Sequence, residues 1–66
     1  MFCEFIGKER KGLKNGYHYF VYSKIKLNKI FVLIEGLETK RKIPEVYSCV
    51  ENFLMEWKIE DKYLGG

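Results

Sequence analysis

A chain of 66 residues and 7.9 kDa has room for one domain, residues 1–66, and none for a cleft between two. Charged residues at 32% beside hydrophobic residues at 47% exclude a disordered charged tail, and a net charge of +3 permits a nucleic-acid partner without requiring one. A fold this small buries only about 60% of the surface its unfolded chain exposes, so its core is marginal and uncovered apolar surface becomes informative.

Residues 1–6, Met-Phe-Cys-Glu-Phe-Ile, read as a short strand ending at Gly7. Residues 8–16 are charged and glycine-punctuated, a loop that enters a turn at Asn15-Gly16, a pair suited to the positive φ angles of a hairpin turn. Residues 17–27, Tyr-His-Tyr-Phe-Val-Tyr-Ser-Lys-Ile-Lys-Leu, are the clearest strand, because aromatic and β-branched residues suit a pleated surface. Asn28 marks a turn, and residues 29–35 form the next strand, stopped by Gly36. Residues 37–43, with the basic triplet Lys40-Arg41-Lys42, read as a loop or a short extra strand. From Pro44 the apolar period lengthens: Val46, Val50, Phe53, Leu54 and Trp57 fall on one helical face. Pro44 suits a first helical position, and Ser48 with Glu51 suits a capping box, so the expected helix starts within 44–49 and runs to about residue 61. The order predicts an α+β fold, a small three-stranded antiparallel meander with one C-terminal helix packed on one face, βββα.

Alternation then assigns the strand faces. A two-residue turn at Leu27-Asn28 pairs Lys26 with Lys29, Ile25 with Ile30, Ser23 with Val32 and Val21 with Ile34. One face carries Tyr17, Tyr19, Val21, Ile25, Ile30, Val32 and Ile34, an aliphatic floor for the helix, with Trp57 packed on it. The other carries His18, Phe20, Tyr22, Lys24, Phe31, Leu33 and Glu35. One helix covers one face. Phe20, Tyr22, Phe31 and Leu33 are therefore either covered by the 8–16 loop or the N-terminal strand, or they form a partner or dimer interface.

Charge is uneven. Residues 1–42 sum to +6 and residues 43–66 to −3. The basic residues cluster at Lys8, Arg10, Lys11 and Lys14, at Lys24, Lys26 and Lys29, and at Lys40, Arg41 and Lys42. The first and third clusters, if neighbours, could follow a phosphate backbone. Lysine outnumbers arginine ten to two, which is poor material for bidentate base readout. The acids of the helical region make it a poor element to lay against DNA.

Chemistry is sparse. Cys3 and Cys49 lie far apart without Cys-x-x-Cys spacing and read as free thiols; the single His18 cannot complete a Cys/His zinc set without acidic ligands, so no metal or cofactor is expected. Ser23 and Ser48 lack a nucleophile context, and Gly12 and Gly16 lack the Lys-Ser/Thr ending of a phosphate loop. No enzyme activity is expected. No signal peptide and no membrane-length apolar run are legible, so a cytoplasmic protein with no membrane partner is expected.

Two likenesses stand beside this reading. Gly16-Tyr17-His18-Tyr19-Phe20-Val21-Tyr22 resembles the aromatic base-stacking strand of RNA-recognition and cold-shock domains, with Asn15, His18 and Phe20 departing from the usual basic, small and aliphatic residues. A three-stranded sheet followed by one helix is similar to the small arm-binding domains of phage integrases, whose sheets lie in a DNA groove; that is an architectural analogy. Phe, Tyr, Met, Ile, Asn and Lys, all with AT-rich codons, make up 31 of the 66 residues, which points to a low-GC bacterium, a phage or a mobile element. The function expected is that of a small binding protein, a plausible inhibitor of a bacterial defence or regulatory factor, a class that includes anti-CRISPR proteins. The alternative is a small nucleic-acid-binding domain using the basic turns and the aromatic strand.

Overall fold

The computed structural model describes residues 1–36 and 42–60. They form one five-stranded antiparallel sheet and one short helix, an α+β arrangement. The elements are β1 (Phe2–Phe5), β2 (His18–Lys26), β3 (Lys29–Glu35), β4 (Ile43–Tyr47), α1 (Val50–Glu56) and β5 (Trp57–Ile59), in the sheet order β4-β3-β2-β1-β5. The first four strands meander. The chain then crosses the sheet through α1 and pairs β5 with β1 at the opposite edge.

The central hairpin follows the sequence register. Lys26 pairs with Lys29, Ile25 with Ile30, Ser23 with Val32 and Val21 with Ile34. Leu27 and Asn28 both take positive φ, 54° and 62°, as a two-residue turn matched to the strand twist requires. A second tight turn lies at Lys11-Gly12, also with positive φ at both residues, and Arg10 and Leu13 exchange both backbone hydrogen bonds around it. At Asn15-Gly16 only Gly16 is left-handed, and Tyr17 N–H donates to the Lys14 carbonyl; the pair makes a turn, but not with both residues at positive φ.

Two expectations are corrected here. The meander has more than three strands, and the helix is much shorter than the apolar periodicity implied. Residues 43–47 are an edge strand: Ile43, Glu45 and Tyr47 face inward with Ile34, Val32 and Ile30, while Pro44 and Val46 face outward with Leu33 and Phe31. An edge position tolerates a proline that a central strand would reject. Cys49, not Ser48, is the N-cap, and it makes no side-chain capping bond; the Ser48 hydroxyl instead accepts from Asn52 Nδ2 at 2.8 Å. The helix stops at Glu56 because Trp57 turns extended, with φ −134° and ψ 129°, so that Lys58 and Ile59 can satisfy the free edge of β1. Of the expected helical stripe only Phe53 and Trp57 are buried, and Trp57 reaches the core as a strand residue.

The core lies between the inner sheet face and a cover of two parts, α1 and the 8–16 loop. Cys3, Phe5, Tyr19, Val21, Ile30, Val32, Ile34, Tyr47 and Trp57 come from the sheet; Phe53 comes from the helix and Leu13 from the loop. Trp57 is 1% exposed and meets the Phe5, Tyr19 and Phe53 rings at centroid distances of 5.0, 5.9 and 6.4 Å. The cover is short. Seven helical residues span about 10 Å, whereas the nine residues of β2 span about 30 Å. Ser23 and Ile25 of β2 are exposed although alternation puts them on the inner face, whereas their β3 partners Val32 and Ile30, flanked on the other side by β4, are buried.

Candidate interaction face and its support

The inner side of the sheet is closed by a polar pin. Arg10, carried on the loop, donates from Nη1 and Nη2 to the two carboxylate oxygens of Glu56, each at 2.7 Å, and from Nε to Glu45 Oε1 at 2.9 Å. Nη2 also donates to the Tyr47 hydroxyl at 3.2 Å. That hydroxyl accepts from Trp57 Nε1 at 3.0 Å and donates to Glu56 Oε1 at 2.8 Å. The guanidinium lies over the Phe5 ring, 5.6 Å from its centroid, and Lys11 adds a 3.1 Å bond to Glu45 Oε2. One arginine thus joins the loop, β4, the end of α1 and the Trp57 cluster.

The electrostatics follow from this geometry. Arg10 hydrogen bonding holds the Glu56 carboxyl below its ordinary value, and the hydrogen bond to Glu56 raises the Arg10 guanidinium. Burial, then the bond to Glu56, pushes the Tyr47 hydroxyl up. No buried side-chain nitrogen or oxygen among the described residues lacks a partner.

Among the described residues the outer face has no such cover. Phe20, Tyr22, Phe31 and Leu33 are all exposed and share this face. Neither candidate cover lies over them: Leu13 of the loop is buried in the core on the other side, and β1 joins the sheet as a strand. The structure extends the patch with residues the sequence reading left out. Phe2 of β1 pairs with Phe20, their rings 5.1 Å apart, and stacks on His18 at 5.2 Å; Pro44 and Val46 join it through β4. A sequence pattern can reveal alternation within one strand, but the addition of these residues depends on long-range pairing.

The hairpin tip is a second exposed apolar feature. Leu27 is 84% exposed and Ile25 71%, and Lys24, Lys26 and Lys29 surround them. Leu27 sits in the left-handed region, where a bulky L-residue is sterically disfavoured by roughly 1–2 kcal/mol. Neither burial nor backbone preference explains a leucine there.

The basic clusters are dispersed. Lys8 and Lys14 are exposed, Lys14 lying over the Tyr17 ring at 5.5 Å. Arg10 and Lys11 face the acids on the helix side. Lys42 lies on the outer face, over Tyr22 at 5.4 Å and 3.9 Å from Glu35. Lys40 and Arg41 lie outside the described residues. Among the described residues, Arg10 and Lys11 of the first cluster thus face the helix side, while Lys42 of the third lies on the outer face. Neither cysteine is in a disulfide: Cys3 is buried and Cys49 exposed. Among the described residues no helix is long and apolar enough to cross a membrane. No family model, curated protein or solved structure matches this chain.

Proposed function

We propose that this chain is a small non-enzymatic binding protein that acts by occupying a surface of a larger protein. The observation that carries the reading is the outer face, open among the described residues: Phe2, Phe20, Tyr22, Phe31, Leu33 and Val46 form contiguous apolar surface on an antiparallel sheet. Strands of four, nine, seven, five and three residues, at about 3.3 Å per residue and about 4.8 Å spacing, give a flat area of roughly 450 Å². With the projecting hairpin tip this is the size of a small interface, below the roughly 800 Å² per partner of a standard one. Leu27 and Ile25 act as apolar anchors at the tip, and Lys24, Lys26 and Lys29 favour a target with acidic residues around its apolar contact. The AT-rich coding bias fits an inhibitor of a bacterial defence or regulatory factor, made by a phage or a mobile element.

The nucleic-acid reading retains one specific support, the row of Phe2, His18, Phe20, Tyr22 and Phe31 rings on one sheet face, where bases could stack. It loses Arg10, whose donors are taken up within the chain. Capture from a low-GC bacterial lysate on immobilised protein, with and without nuclease, separates the two. A protein that survives nuclease and is lost with Phe31→Glu supports the protein target. Loss of every partner after nuclease, with single-strand binding that weakens steeply with salt, overturns it.

A further inference from the structure

We propose that Glu4, His18 and Glu60 form a binding site for a divalent transition-metal ion, with zinc as the ion their chemistry suits. The three residues lie on adjacent strands or at their ends. His18 opens β2, Glu4 pairs directly opposite it on β1, and Glu60 follows β5, its backbone N–H donating to the Phe2 carbonyl at 2.9 Å. One ligand atom from each comes within 4.8 Å of the others, and His18 Nε2 is 3.5 Å from Glu60 Oε1. Ligand atoms about 2.1 Å from a tetrahedral ion are roughly 3.4 Å from one another, so small side-chain rotations close the set.

The donor chemistry narrows the ion. An imidazole nitrogen with two carboxylate oxygens suits zinc, whereas calcium and magnesium favour oxygen alone. The Phe2 ring, stacked on His18 with 14° between planes, limits the orientation of the imidazole. Two carboxylates brought this close repel each other, in a chain whose net charge is positive, and a divalent ion between them turns that repulsion into attraction. Lys58 stands opposite Glu4 on β5 and opposes the ion by its charge, so moderate affinity is expected. Three protein ligands leave a fourth position for water or for a donor from a bound partner. The single histidine thus acquires through pairing the acidic ligands that its sequence neighbours do not supply.

The test is a zinc chloride titration of the whole chain under reducing conditions, read by competition with a chromogenic chelator and by thermal melting. One ion per chain is expected, with a rise in Tm, because the ion links β1, β2 and the end of β5. His18→Ala and the near-isosteric Glu60→Gln should each weaken binding about tenfold or more and abolish the rise in Tm. Both positions are partly solvent-exposed, so the fold should survive, and circular dichroism checks it; if His18→Ala misfolds, Glu60→Gln decides. Cys49→Ser, which removes the exposed thiol, should leave binding unchanged. Saturable binding that persists in Glu60→Gln, binding lost in Cys49→Ser, or no saturable binding by the wild type would overturn the proposal.

Discussion

Arg10→Ala tests the reasoning about the inner face most directly. The substitution removes the two Glu56 bonds, the Glu45 bond and the Tyr47 bond, and leaves two carboxylates facing the space the guanidinium filled. Hydrogen bonds to charged groups contribute about 1.5–3 kcal/mol each when sheltered, but the Arg10 side chain is a third exposed, and solvent screening reduces that considerably. A net loss of about 2 kcal/mol is expected. For a domain of this size that lowers Tm by roughly 8–16 °C. The acid limb supplies an independent readout. Glu56 is held below its ordinary value in the folded state, so its contribution is complete above the unfolded carboxyl value and is lost as pH falls through the folded one. Without Arg10 that depression largely disappears, and the stability profile of Arg10→Ala should be flatter than wild type below about pH 4.5. Urea denaturation at a series of pH values, with Glu56→Gln and the double mutant completing a cycle, measures both effects. A variant that melts within 2–3 °C of wild type and keeps the wild-type acid limb would show that the arginine is a solvated surface charge and that the pin does not hold the loop on the sheet.

Trp57→Ala should cost about 3–5 kcal/mol, because it empties the site between Phe5, Tyr19 and Phe53 and removes a donor from Tyr47; near-wild-type melting would contradict a docked Trp57. For a 66-residue domain this is most of the expected stability. Phe31→Glu should change stability by less than about 1 kcal/mol in the isolated chain and abolish partner binding or dimerisation in light scattering; a large loss of stability would mean that the outer face is internal. Leu27→Asn should stabilise the hairpin by about 0.5–1 kcal/mol, since asparagine tolerates the left-handed conformation, while weakening partner binding; a lower Tm would refute the strain argument. At alkaline pH the raised Tyr47 hydroxyl contributes stability that is complete below the unfolded tyrosine value near 10 and is lost as pH rises through the folded value, so Tyr47→Phe should remove that part of the alkaline limb seen in urea titrations.

The sequence by itself determined the central hairpin. Alternation in residues 17–35 and one turn residue, Asn28, were enough to pair Val21 with Ile34 and to separate Phe20, Tyr22, Phe31 and Leu33 from the core, because side-chain direction in a strand has a fixed period of two and a tight turn sets the register. What happens after Pro44 was decided by tertiary structure. Residues 43–59 carry apolar side chains at helical spacing, yet the open edges of β3 and β1 offer hydrogen bonds that a continuous helix would leave unmade, and the chain spends five residues on one edge and three on the other. Arg10 shows the same limit: within its own loop it is one cation among four, and only the fold brings Glu45, Tyr47 and Glu56, 35 to 46 positions away, around its guanidinium. Glu4, His18 and Glu60 are likewise brought together only by strand pairing. Local periodicity specifies which way a side chain faces; which residues meet across the sheet depends on the order in which distant strands pair, and that order has no local period to read.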